Sequence, residues 1–151
     1  VGAATHPWPG GRISWYHALG AHPRLGQHFC AIAPAGRLLL DSGLASAFQP
    51  QSPPEDFAER TALPLLFRPA QFRANAEDMA GLHAFLTAQQ ARYPALTTPV
   101  ETIVSDADEI VPMAHGEALA AQSGRVRLTT LHGYGHMLQH VAVPAIVDAV
   151  G

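Results

Sequence analysis

Two short segments of this 151-residue chain carry residue types that could move a proton. Ile103-Val104-Ser105-Asp106-Ala107-Asp108-Glu109-Ile110-Val111-Pro112 places carboxylates just past an apolar run. Leu131-His132-Gly133-Tyr134-Gly135-His136-Met137 places an imidazole just past a second one. A histidine serves as a general base only when its tautomer and ring orientation are fixed, and a carboxylate bonded to one ring nitrogen does both. These are the acid and the base of a nucleophile–histidine–acid triad. The third member is a serine, cysteine or aspartate on a glycine-flanked turn. The sequence contains no Gly-x-Ser-x-Gly, Gly-x-Cys-x-Gly or Gly-x-Asp-x-Gly.

Three carboxylates compete for the acid's role. Asp106 closes the first apolar run, Asp108 follows two residues on, and Glu109 enters a Glu-Ile-Val-Pro turn. The general order of nucleophile, acid and histidine along such chains favours Asp108. Either aspartate could instead cap a turn through its own side chain. The base is His136, which follows Gly133-Tyr134-Gly135, where two glycines let the backbone turn sharply and pass close to its neighbours. His132, His136 and His140 are spaced four apart, which on one continuous helix would stack three imidazoles for a zinc ion. The two glycines argue against that helix, and no His-Glu-x-x-His occurs. No metal and no other cofactor is expected. His6, His17, His22, His28, His83 and His115 read as structural, in lid-like or surface positions.

The elements that must position these groups lie in residues 99–151. Residues 100–104 read as a strand entered through Pro99, where a missing donor does no harm. Ala114–Gln122 reads as a helix with Gly124 soon after its end, residues 125–131 as a second strand, and 144–150 as a terminal helix. Strand, helix, strand at this spacing implies a parallel pair, and so an α/β fold class. Ligands of such sheets collect beyond the carboxyl ends of the strands. Asp108 and His136 should therefore share one rim.

Residues 5–98 are different in character. They hold most of the 13 prolines and no convincing strand. Short helices are predicted over 14–21, 23–32 and 37–48, then a loop over 49–54, where Ser52 could cap a helix beginning at Pro53. The longest predicted helix runs over 69–93, with Phe72, Ala76, Met79, Leu82, Phe85, Leu86 and Tyr93 on one core-facing stripe.

Composition sets outer bounds. The chain is 48% hydrophobic and only 14% charged, which suits a packed core and argues against a disordered tail. A net charge of −3, with scattered basic residues, leaves no footprint for nucleic acid. No apolar segment is long enough for a membrane span or a signal peptide, and a cytoplasmic location is the expectation. The single cysteine, Cys30, rules out an internal disulfide and should pack as a small apolar group.

Together these residues resemble the C-terminal half of an α/β-hydrolase fold protein. Ile103 to Pro112 is similar to the segment after that family's seventh strand, usually Gly-x-x-Asp followed by Val-Pro, with Ser105 in place of the glycine. The resemblance makes Asp108 the triad acid. Gly133-Tyr134-Gly135-His136-Met137 resembles the family's Gly-x-Gly-His loop and makes His136 the triad base. By the same resemblance residues 1–4 are the end of a core strand, 5–98 a helical cap or lid, and 99–151 the last part of the core. Thr5-His6-Pro7-Trp8-Pro9-Gly10-Gly11 matches the lead-in to such a cap. The implied activity is hydrolysis of an ester or related acyl compound. The nucleophile and the N-terminal half of the fold would lie outside the chain, leaving it inactive alone and with an unpaired sheet edge. The cap would offer Trp8, Trp15, Tyr16, Leu40, Phe48 and Phe72 as an apolar wall for a small apolar substrate. Epoxide, haloalkane or carbon–carbon bond hydrolysis on the same scaffold, or a non-catalytic binding module, are the alternatives.

Overall fold

The computed structural model describes residues 1–9 and 13–151. The chain forms two compact units, neither contiguous in sequence. The first comprises Val1–Pro7, Ala45–Ser52 and Leu86–Gly151, and the second Trp8–Leu44 and Pro53–Phe85. The segment anticipated as a cap, 5–98, is thus shared between them. Gly10 and Gly11 of the anticipated lead-in lie outside the described residues.

The first unit is of mixed α/β character. Strands β1 (Val100–Ser105) and β2 (Val126–Leu131) pair in parallel, in register from Val100 opposite Val126 to Ser105 opposite Leu131. A parallel pair needs a long connection, and helix α6 (Ala114–Gln122) supplies it, as its sequence foretold. Thr102 to Ser105 are all buried, the pattern of a strand covered on both faces rather than one. The core centres on Ile103, Leu138 and Ala142, with Leu131, Tyr134, Ile146 and Ala149 packed around them. Leu138 and Ala142 come from the end of the chain, which folds as two helices, α7 (Leu138–Val141) and α8 (Val143–Val150), where one was expected. Pro144 falls in the first turn of α8, where its missing N–H costs nothing.

Residues 1–4 form no strand. Gly2 takes φ +51°, outside the extended region, and one hydrogen bond, from its N–H to the Ile103 carbonyl at 2.9 Å, ties the segment to β1. The sheet therefore has two strands among the described residues, not the three anticipated.

The second unit is helical: α1 (Trp15–Gly20), α2 (Gly26–Ala31), the start of α3 (Leu40–Phe48), α4 (Phe57–Arg60) and most of α5 (Pro69–Gln89). Trp15, Phe29 and Phe72 form an aromatic row with ring centroids 5.9 and 6.1 Å apart. Cys30 is fully buried here, as expected of a small apolar group. Three local expectations need correction. The helix anticipated over 37–48 is a 3-10 segment (Ala33–Leu39) followed by α3. Ser52 caps no helix, because Pro54 disfavours a helical conformation at Pro53, and α4 begins only at Phe57. Helix α5 stops at Gln89 and tightens into a 3-10 turn (Gln90–Ala95), since the Pro94 ring would clash with the carbonyl four residues back. On the α5 stripe Ala76 and Leu86 are buried, but Phe85 is 60% exposed.

Candidate active site

All of the candidate site lies within the first unit. The chain leaves β1 at Ser105 and turns through Asp106-Ala107-Asp108, so both carboxylates stand at the strand's carboxyl end. It leaves β2 at Leu131 and loops through 132–137 before α7. Parallel pairing puts these two exits side by side. Asp108 Oδ2 lies 2.9 Å from His136 Nδ1. The other carboxylate oxygen accepts from the amides of Ile110 (2.9 Å) and Val111 (2.8 Å). Oδ1 is engaged by both amides and Oδ2 faces the ring, so a bond in which Oδ2 accepts places the imidazole proton on Nδ1. Nε2 is then the basic nitrogen. The Asp108 side chain is 2% exposed and that of His136 is 26% exposed, so the acid is sealed while the base can be reached.

Of the three competing carboxylates, only Asp108 meets His136. Asp106 makes a second pair, its Oδ2 lying 2.8 Å from His132 Nδ1, and its Oδ1 accepts from the Gly133 amide at 2.8 Å. The Gly133 amide, and then His132, hold the Asp106 carboxyl below the usual carboxylate range. This pair is solvent-exposed, with 80% of the His132 side chain in contact with water. Glu109 is bound by the Gln49 carboxamide at 3.1 Å. The four-residue histidine spacing does not become a helical stack. His132 and His136 face different carboxylates, and His140, on α7, packs its ring 6.1 Å from that of Phe48. Among the described residues no cluster of three or more His, Cys, Asp or Glu could hold a metal ion.

The loop that carries His136 is fastened by side chains that no sequence signal singled out. Ser105 Oγ donates to the Tyr134 carbonyl (2.6 Å) and accepts from its amide (3.2 Å). Gln51 donates to the Gly133 carbonyl (2.7 Å) and accepts from the Gly135 amide (2.9 Å). Gly133 needs its glycine for a φ of +77°. Gly135 needs it for space, since a Cβ there would run into the Gln49 carbonyl.

His115, read from sequence as peripheral, is instead buried. Its Nδ1 faces the amides of Thr5 (3.4 Å) and His6 (3.2 Å), and its carbonyl accepts from the Thr5 hydroxyl at 2.6 Å. Burial, and then the neighbouring His6, push the His115 pKa down, while Asp108 opposes the shift. Tyr93 OH completes this polar knot by donating to the Thr5 carbonyl at 2.7 Å.

The anticipated apolar wall is less uniform. Phe48 belongs to the first unit and is fully buried, a core position rather than an open wall, with its ring centroid 6.1 Å from that of His140. Trp8, Trp15, Tyr16, Leu40 and Phe72 belong to the second unit. There Trp15 is 70% exposed, Tyr16 is exposed, and Trp8, Leu40 and Phe72 are half-buried. A hollow of about 780 Å³, lined by Val100, Glu101, Arg125 and Arg127 among others, opens at the amino ends of the two strands, away from Asp108 and His136.

No protein-family model matches the chain, and no curated protein matches it. A solved structure of an alpha/beta hydrolase fold protein from Nakamurella multipartita is similar to it, with 18% identity and a TM-score of 0.46. The likeness covers 93% of this chain and 53% of that one, so the chain spans about half of that protein's length. No helix among the described residues is long and apolar enough to cross a membrane.

Proposed function

We propose that Asp108 and His136 are the acid and base of a hydrolytic triad on an α/β-hydrolase scaffold, acting on an ester or related acyl group. The nucleophile, a serine in this reading, comes from outside these 151 residues. The reading is carried by the 2.9 Å bond between His136 Nδ1 and Asp108 Oδ2, made by a sealed carboxylate whose other oxygen already holds two backbone amides. A carboxylate so anchored cannot turn away, and it holds the imidazole with Nε2 free to accept a proton.

Nε2 of His136 takes the nucleophile's proton as the acyl carbon is attacked. It returns that proton to the leaving group as the tetrahedral intermediate collapses. A water molecule, deprotonated by the same nitrogen, then releases the acyl group. Asp108 is not itself protonated; it holds the tautomer and stabilises the imidazolium. In this reading residues 5–98 are the cap segment, and Trp8, Trp15, Tyr16, Leu40 and Phe72 within it offer apolar surface to a small apolar substrate.

The test is hydrolysis of a simple aryl ester. The 151-residue chain should show only background turnover. A polypeptide carrying the same residues together with a Gly-x-Ser-x-Gly elbow should turn the ester over, and His136→Ala should abolish that activity. Turnover by the chain alone that is lost in His136→Ala would show that the nucleophile lies within it. Activity of the elbow-bearing polypeptide that survives His136→Ala would overturn the reading as a whole.

A further inference from the structure

Every backbone hydrogen-bonding group from the Gly133 amide to the Gly135 amide is engaged by a side chain from outside the loop. Asp106 takes the Gly133 amide, Ser105 takes both peptide groups of Tyr134, and Gln51 takes the Gly133 carbonyl and the Gly135 amide. Ser105 and Asp106 come from the tip of β1, which also carries Asp108. Gln51 is different, since it reaches the loop from more than 80 residues away in sequence. The backbone around it is pressed against the same loop, where Gly135 leaves no room for a Cβ beside the Gln49 carbonyl. Gln49 in turn bonds Glu109, the neighbour of Asp108, at 3.1 Å. Residues 49 and 51 thus splint the acid-bearing and the base-bearing loops at once.

We propose that Gln51 is the positioning residue of His136. The proposal rests on the reading of Asp108 and His136 as an acid–base pair. A primary carboxamide offers a donor and an acceptor on one rigid plane, and the loop presents a carbonyl and an amide two residues apart to meet them. Glutamate keeps the acceptor and loses the donor, while alanine loses both. With Gln51 in place the path from Gly133 to Gly135 is fixed, and with it the direction in which the His136 ring leaves the backbone. Without it the Gly133 carbonyl and Gly135 amide lose their partners, the two glycines give the loop wide conformational freedom, and Nδ1 no longer dwells on Asp108 Oδ2. Catalytic sites of this kind tolerate little misplacement, because a base about 1 Å out of line can cost ~10²-fold in rate.

The experiment is imidazole NMR on the 15N-labelled 151-residue chain. The wild type should show His136 as the Nδ1–H tautomer, with a slowly exchanging Nδ1 proton far downfield. Asp108→Asn should remove that signal. Gln51→Ala and Gln51→Glu should each leave the amide spectrum of β1 and β2 in place but broaden the His136 signal. In both, exchange of the Nδ1 proton with water should accelerate by about tenfold or more, as expected on losing one or two neutral hydrogen bonds. If Gln51→Ala does not fold, the isosteric Gln51→Glu carries the test. A His136 signal unchanged in the Gln51 variants would overturn the proposal. A His136 signal indifferent to Asp108→Asn would overturn the pair, and the proposal with it.

Discussion

The Ser105 hydroxyl lies 2.6 Å from the carbonyl oxygen of Tyr134 and 3.2 Å from its amide nitrogen, donating to the first and accepting from the second. One fully buried side chain therefore closes a ring between the tip of β1 and the loop that carries the histidine. The resemblance to the hydrolases leads one to expect a glycine at this position. The serine supplies a tether that a glycine could not.

Replacing Ser105 by alanine leaves both peptide groups of Tyr134 without their side-chain partner. An abandoned buried donor or acceptor costs about 1–3 kcal/mol, so Ser105→Ala should lower stability by an amount in that range. Urea unfolding followed by circular dichroism measures it. A midpoint equal to that of the wild type would show that water replaces the hydroxyl without loss.

Asp108→Asn keeps the shape of the side chain and removes its charge. The carboxamide oxygen can take only one of the two roles that the carboxylate oxygens divide between them: receiving the Ile110 and Val111 amides, or holding Nδ1–H of His136. In the elbow-bearing polypeptide kcat should fall by about 10⁴-fold, the size of the corresponding change in a serine protease. KM should stay nearly constant, since Asp108 is sealed from solvent and touches no substrate. Steady-state kinetics separates the two parameters.

Two glycine substitutions should move stability in opposite directions. Gly135→Ala drives a methyl group into the Gln49 carbonyl, a backbone atom that cannot swing aside, and should destabilise by about 1–3 kcal/mol. Gly43→Ala, in α3 with nothing within 4 Å of the added Cβ, should stabilise by roughly 0.5–1 kcal/mol through lower chain entropy and better helix propensity. Thermal denaturation of the two variants beside the wild type gives both signs at once.

The pH dependence of stability should carry the mark of His115. Its folded-state pKa is lowered by burial and then by His6, against a weaker opposing pull from Asp108. In the unfolded chain the same ring titrates near about 6.5. Below that pH the unfolded state binds the proton that the folded state refuses, so stability falls as pH drops from about 6.5 and recovers as it rises. His115→Gln, which can still accept from the Thr5 and His6 amides through its carboxamide oxygen, should flatten this limb. Urea midpoints between pH 5 and 8 test it; an equally steep limb in the variant would place the titration elsewhere.

Much of the first unit was legible along the chain. The apolar run before Asp106, the helix of residues 114–122 and the second run ending at Leu131 are local patterns, and a connection of that length leaves a parallel pair as the simple outcome. That pairing brings Asp108 and His136 onto one rim without further information, because each stands just beyond a strand's carboxyl end. Competition among neighbouring acids was harder to read. Asp106 and Asp108 differ by two residues, and only the folded turn sends one to His132 and the other to His136.

The amino-acid order alone determined where chain direction changes and which residue types stand at each change, since propensity, proline geometry and apolar period act over a few neighbours. Tertiary structure alone decided what fastens the histidine loop. Gln51 reaches across more than 80 residues to the peptide groups of Gly133 and Gly135, Phe48 disappears into the core, and residues 45–52 fold with the sheet rather than with the helices on either side of them in sequence. Such contacts depend on which distant surfaces meet, and a backbone amide looks the same in every sequence until a particular side chain is brought within 3 Å of it.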